Sequence, residues 1–122
     1  MLLPLVGFLE AGDERMARTI DAIDSELGDG GLHRRLERRD DEGAFLPVTF
    51  WLAACRALAG DVEAAHAAFE RAAGCANDVG LLAEMADPRT GEPRGNIPQA
   101  LSHVGLITAA RCLAEAAERA PA

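Results

Sequence analysis

Residues 42–72 read EGAFLPVTFWLAACRALAGDVEAAHAAFERA, and their pattern decides the fold class. Pro47 suits a first helical turn, where its missing N–H is not needed. After it, Phe50, Trp51, Ala54, Cys55 and Leu58 form an apolar stripe, which predicts a helix over 47–59. Gly60 and Asp61 then break and recap the chain. Val62, Ala65, Phe69, Ala72 and Ala73 supply the inward side of a second helix over 62–76. The inward alanines allow the two helices to approach closely.

The same reasoning extends outward in both directions. Asp13 is an N-cap, and Met16, Ile20, Ile23 and Leu27 recur at helical spacing, predicting a helix over 13–27. Gly28, Gly30 and Gly31 end it. Residues 31–39 are strongly charged and read as a loop with a short strand. Residues 77–97 are the least helical region. Within them, DPRTGEPRGN carries the Pro and Gly signals of a turn or hairpin. A last helix is predicted over 98–118, with Leu101, Gly105, Ile107, Ala110 and Leu113 on its buried side. The chain therefore reads as all-α, with about four helices and one long loop or hairpin.

Composition narrows the function classes. The chain has 122 residues and a net charge of −8, with a pI near 4.8. It has no basic stripe to neutralise phosphates, which excludes nucleic acid and an anionic membrane surface as partners. Neutral ligands such as sugars stay open. Cys55, Cys75 and Cys112 have neither disulfide nor zinc-site spacing, and the three thiols point to a reducing cytoplasm. The N-terminal MLLPLVGFLEAGDE has no basic leader region, and Pro4 interrupts its apolar run, so it is read as an interior segment of a larger fold. Neither a cofactor nor a metal is expected.

Among candidate chemical groups, Glu84 stands out because it follows the apolar run GLLA. A carboxylate in such surroundings tends to be desolvated, as acid–base chemistry needs. Taken alone, the residue reads more readily as a surface glutamate on an irregular loop. His103 lies in the last helix beside Ser102, and adjacent helical positions face different ways, so it reads as a packed histidine. His33 and His66 sit in charged or exposed stretches. Trp51 and Phe50 are candidates for stacking on a sugar, with core packing the stronger reading.

Three stretches together resemble the C-terminal part of the catalytic domain of bacterial glycoside hydrolase family 15, the glucoamylase- and trehalase-like enzymes. They are residues 42–72, residues 76–107 (ANDVGLLAEMADPRTGEPRGNIPQALSHVGLI) and residues 2–32 (LLPLVGFLEAGDERMARTIDAIDSELGDGGL). The resemblance implies that residues 1–122 are a C-terminal fragment of a domain of paired helices forming an (α/α)6 barrel. Its implied chemistry is inverting hydrolysis of α-glucosidic bonds in maltooligosaccharides or trehalose. Two carboxyl groups about 6.5–9.5 Å apart perform such inversion.

The family's general base carries over to Glu84, with Ser102 placed to orient it by a hydrogen bond. Glu42 and Trp51 align with the segment bordering the sugar. The general acid belongs to an earlier part of the barrel, so the isolated chain is expected to be inactive. Met85, the Pro47-Val48 pair and a charged turn at 38–41 that looks shortened depart from the family pattern. The competing expectation is a non-catalytic helical scaffold, tetratricopeptide-like in residues 50–73 or self-associating through exposed helix faces. Only one such hairpin unit is present, whereas a solenoid needs at least three.

Overall fold

The computed structural model describes residues 1–37 and 42–119; residues 38–41, the charged stretch read from sequence as shortened, lie outside them, as do residues 120–122. The described residues form four helices, α1 (Glu14–Leu27), α2 (Leu46–Ala59), α3 (Val62–Ala73) and α4 (Ala100–Arg119). Five two-residue strands punctuate them: β1 (Gly28–Asp29), β2 (Leu32–His33), β3 (Ala44–Phe45), β4 (Met85–Ala86) and β5 (Pro93–Arg94). The fold is mostly helical, with α2 packed against both α3 and α4, and agrees with a portion of an (α/α)6 barrel. No helix among the described residues is long and apolar enough to cross a membrane.

Helix α1 starts where the sequence predicts. The Asp13 carboxylate accepts the Arg15 N–H at 2.9 Å, satisfying a donor that the helix itself leaves unpaired. The Arg15 guanidinium also grips both oxygens of Asp13, at 3.0 and 2.9 Å. These bonds, the side-chain one foremost, hold the Asp13 carboxyl at a pKa of about 2. The glycine stop works differently from the expectation. Gly28 ends α1 in an extended conformation. Gly30 and Gly31 have φ of 57° and 79° and turn the chain between β1 and β2, where Asp29 faces Leu32. Two successive left-handed residues make the tight hairpin turn that matches strand twist.

Helix α2 is buried almost all round rather than along one stripe; Phe50, Leu52, Ala53, Ala54, Cys55 and Ala57 are all inaccessible. Its Phe50 side meets α3 and α4, while Leu52 and Cys55 meet Met16 and Ile20 of α1. A helix enclosed on every side loses the amphipathic signal that periodicity detects. Helix α3 stops at Ala73, short of the predicted 76, because after the last α-helical bond, from Gly74 to Glu70, Cys75 and Ala76 close tighter turns onto Ala72 and Ala73.

Helix α4 begins at Ala100, and its orientation corrects the sequence expectation. Ser102, Gly105, Ala109, Cys112, Leu113 and Ala116 face inward, while Leu101 and Ile107 point outward. The reason is steric. A Cβ built on Gly105 would meet the Phe50 Cβ at 3.1 Å. Close helix approach thus selects small side chains beside Phe50 and leaves Leu101 and Ile107 outside.

Two measurements test this packing. Gly105→Val should cost about 1–3 kcal/mol by overpacking, exceeding any helix-propensity gain of about 1 kcal/mol. An unchanged urea midpoint would refute the tight α2–α4 contact. The second test concerns acid. A carboxyl whose folded pKa is depressed stabilises the fold above its ordinary value and loses that contribution as pH falls through the folded value. Between about pH 4 and about pH 2, the wild type should therefore lose more thermal stability than Asp13→Asn. Parallel acid profiles of the two proteins would show that the Asp13–Arg15 pair carries no pH dependence.

Candidate active site

Strands β3, β4 and β5 form a small antiparallel sheet in that order, with Phe45 opposite Met85 and Met85 opposite Arg94. Glu84 stands immediately before β4 and is held from both sides. Its N–H donates to the Asn96 carbonyl at 2.8 Å, and its carbonyl accepts the Leu46 N–H at 3.1 Å. The Glu84 side chain is 19% exposed. Its Oε2 accepts from Asn96 Nδ2 at 3.2 Å and from the Asn96 N–H at 3.5 Å. Its Oε1 lies 3.9 Å from Arg35 Nη1. The apolar residues before it, Leu82 and Ala83, are buried, but the carboxylate itself turns toward these polar partners.

Arg35 lies beside two of the residues singled out from sequence, Glu42 and Glu84, and is linked to a third, Trp51, through Phe45. It donates side-on to Glu42, from Nε to Oε2 at 3.0 Å and from Nη2 to Oε1 at 3.1 Å. That fork, with a lesser contribution from Glu84, pushes the guanidinium pKa further above its ordinary value. Its Cζ lies 5.8 Å from the centre of the Phe45 ring, within cation–π range. Trp51 meets Phe45 edge-on, with ring centroids 6.4 Å apart. Glu42, Glu84 and Trp51 therefore belong to one cluster. Phe50 does not; it packs edge-on against Phe69 in the core.

Ser102 is fully buried and donates to the Ala83 carbonyl at 2.7 Å. A hydroxyl has one proton to give. The expected bond to the Glu84 carboxylate is therefore replaced by a bond to the backbone one residue earlier. His103 acts on the same loop, its Nε2 accepting the Leu82 N–H at 3.1 Å. Gly95 has φ of 73°, and a Cβ there would lie 3.0 Å from Glu84 Oε2 and from the Met85 methyl. The position needs glycine for both its conformation and its space.

The turn at the far end of this hairpin is self-supporting. Asp87 accepts the Arg89 N–H at 2.8 Å and pairs with Arg94. These contacts, the Arg89 N–H foremost, hold its carboxyl below the ordinary range. Arg71 of α3 ties this turn to the first hairpin, donating to the Pro88 carbonyl at 2.7 Å and the Gly30 carbonyl at 2.9 Å.

A second polar cluster corrects the reading of His33, which is buried rather than exposed. Its N–H donates to Thr49 Oγ1 at 3.0 Å. Its Nδ1 lies 3.2 Å from the same hydroxyl and its Nε2 2.7 Å from Asp24. The consistent arrangement has Thr49 donating to Nδ1 and Nε2–H donating to Asp24. Burial pushes the imidazole pKa down. Asp24 also pairs with Arg56. The cluster borders a cleft of about 350 Å³ and fastens α1, β2 and α2 together. His66, by contrast, is exposed as expected. Cys55, Cys75 and Cys112 are buried free thiols, and burial pushes Cys55 up to about 11. No group of three or more metal-ligating side chains is found among the described residues.

Sequence reasoning missed Arg35, Gly95 and Asn96. Arg35 lies in a run of charged residues, 33–42, whose pattern does not single out one arginine. The Gly95-Asn96 pair, directly after β5, was the available signal that the backbone comes close to something there.

Comparison with known proteins bears on this arrangement. A trehalase of Thermoplasma acidophilum is 45% identical over 119 residues, which are 93% of this chain and 20% of that protein. A trehalase of Mycolicibacterium smegmatis is 38% identical over 127 residues, 98% of this chain and 19% of that protein. Trehalase 2 of Sulfolobus acidocaldarius is 33% identical over 112 residues, 88% of this chain and 19% of that protein. The chain thus spans about a fifth of the length of these relatives. No solved structure matches it. The sequence profile of glycosyl hydrolases family 15 matches residues 1–111, and the chain belongs to that family.

Proposed function

We propose that residues 1–122 are the C-terminal, general-base segment of an inverting α-glucosidase with an (α/α)6 barrel, acting on trehalose or a maltooligosaccharide. The observation that carries the reading is the way Glu84 is held. Its main chain is hydrogen-bonded on both sides, one carboxylate oxygen is anchored on Asn96, and the other faces Arg35. Family membership and the trehalases among the relatives support the chemistry and favour trehalose as the first substrate to try.

In the proposed step Glu84 takes a proton from water. The water oxygen bonds to the anomeric carbon from the face opposite the leaving group. The glycosidic C–O bond breaks, its electron pair staying on the leaving oxygen, which receives a proton from a carboxylic acid elsewhere in the barrel. Glu42 and Trp51 border the sugar, and Ser102 orients the base through the Ala83 carbonyl. The reducing compartment read from the three thiols belongs to the same proposal.

The isolated chain lacks the acid, which alone costs about 10²–10⁴-fold in rate. The expected outcome is no glucose release from trehalose or maltose by the isolated chain. In the complete enzyme, glucose release should be lost in Glu84→Gln. Robust turnover by the chain alone, or by complete enzyme carrying Glu84→Gln, would sink the proposal.

Exposed apolar side chains favour one further property, self-association of the isolated chain. Leu101, Val104 and Ile107 form an outward row on α4, and Val6 and Phe8 near the N-terminus are more than 70% exposed. Apolar faces of this kind seek cover. Sizing chromatography should show oligomers or aggregates, and a monodisperse monomer would refute this.

A further inference from the structure

We propose that Arg35 is the positioning residue of the base and that Glu84 Oε1 is the oxygen that receives the water's proton. The inference rests on the reading of Glu84 as general base and goes beyond it by naming the atom and the group that aims it.

The two Glu84 oxygens are not equivalent. Oε2 is engaged by Asn96, from Nδ2 at 3.2 Å. Among the described residues, no donor reaches Oε1 within hydrogen-bond distance; the nearest cationic nitrogen is Arg35 Nη1 at 3.9 Å. That separation is too long for a hydrogen bond. It is short enough for the guanidinium charge to attract the carboxylate. Oε1 thus keeps a lone pair for an incoming O–H, which a general base requires.

Arg35 is restrained from closing that gap. Nε and Nη2 form the side-on fork with Glu42, a geometry that fixes the guanidinium plane. Phe45 lies against the same group. With the plane fixed, Nη1 faces Glu84 without occupying its lone pair. Glu42 thereby acts on the base through Arg35, as its tether. An ordinary exposed ion pair would contribute little and would not need a second carboxylate to hold it away.

The test has two readouts. In the complete enzyme, Arg35→Gln should lower kcat about 10–100-fold, the scale of losing a positioned group, with KM nearly unchanged. Arg35→Lys or added guanidinium should recover part of the loss. An unchanged kcat overturns the inference, as does a rise in KM alone, which would make Arg35 a sugar ligand. If Glu84→Gln abolishes turnover while Arg35→Gln is silent, only this inference fails. If Glu84→Gln retains turnover, the base reading fails with it. The second readout needs no activity. In this chain, the ¹⁵Nε–¹H signal assigned by its loss in Arg35→Lys should move in Glu42→Gln and also in Glu84→Gln. A signal that ignores Glu84→Gln overturns the arrangement.

Discussion

The contact on which the remaining structure depends is the approach of α4 to Phe50 at Gly105. A side chain at Gly105 would press on the Phe50 Cβ, so the absence of one sets how near the two helices lie. Phe50 in turn meets Phe69 of α3 and is sealed from solvent. Three helices therefore converge on one aromatic ring, with alanines filling the space between backbones. Small residues give little apolar area each, so this core gains its cohesion from close packing and many backbone-scale contacts rather than from large side chains.

That packing is transmitted to the candidate site through hydrogen bonds. Ser102 lies one turn before Gly105 on the same inward face of α4, and its hydroxyl holds the Ala83 carbonyl. His103 holds the Leu82 N–H, and the Leu82 carbonyl accepts from Gln99. The segment entering Glu84 is thus suspended from the first turn of α4. Beyond it, β3 and β5 flank β4, so the carboxylate is placed by a helix terminus and a sheet together. The loop is irregular in sequence but has few unanswered backbone groups, which is what an irregular segment needs to stay fixed.

The helices and their order were legible in the sequence because caps and apolar spacing are local signals. Asp13, Gly60 and Asp61 act where their chemistry predicts. The faces were less legible. On α4 the inward assignment of Gly105 and Leu113 holds, whereas the large residues Leu101 and Ile107 point outward and steric closeness places Ser102 on the inward face. Hydrophobicity marks a buried side only when room for bulk exists there. Within the candidate site, Glu84 and Trp51 were candidates from the residues themselves and Glu42 came from resemblance; the structure sets both carboxylates beside Arg35 and reaches Trp51 through Phe45. Arg35 itself was invisible because its role depends on two carboxylates 7 and 49 positions away, which no local pattern encodes. His33 was misread for the same reason; its partners Thr49 and Asp24 come from α2 and α1.

Inverting hydrolysis, as proposed for this chain, allows a segment to be well built and still chemically incomplete. Inversion places its two carboxyl groups on opposite sides of the sugar, far enough apart to admit a water. The proposed reading takes the acid and the base from separate parts of a barrel. Each half then needs its own local support. On the proposed reading of Glu84 as base, its support lies within this chain: a sheet for the backbone, Asn96 for one oxygen, and a guanidinium facing the other. On the same reading, a larger barrel adds the opposing wall that brings the acid and encloses the sugar. Local order in a piece of an enzyme is therefore compatible with the absence of turnover, since positioning one group is a property of its neighbourhood and bond cleavage is a property of the enclosed pair.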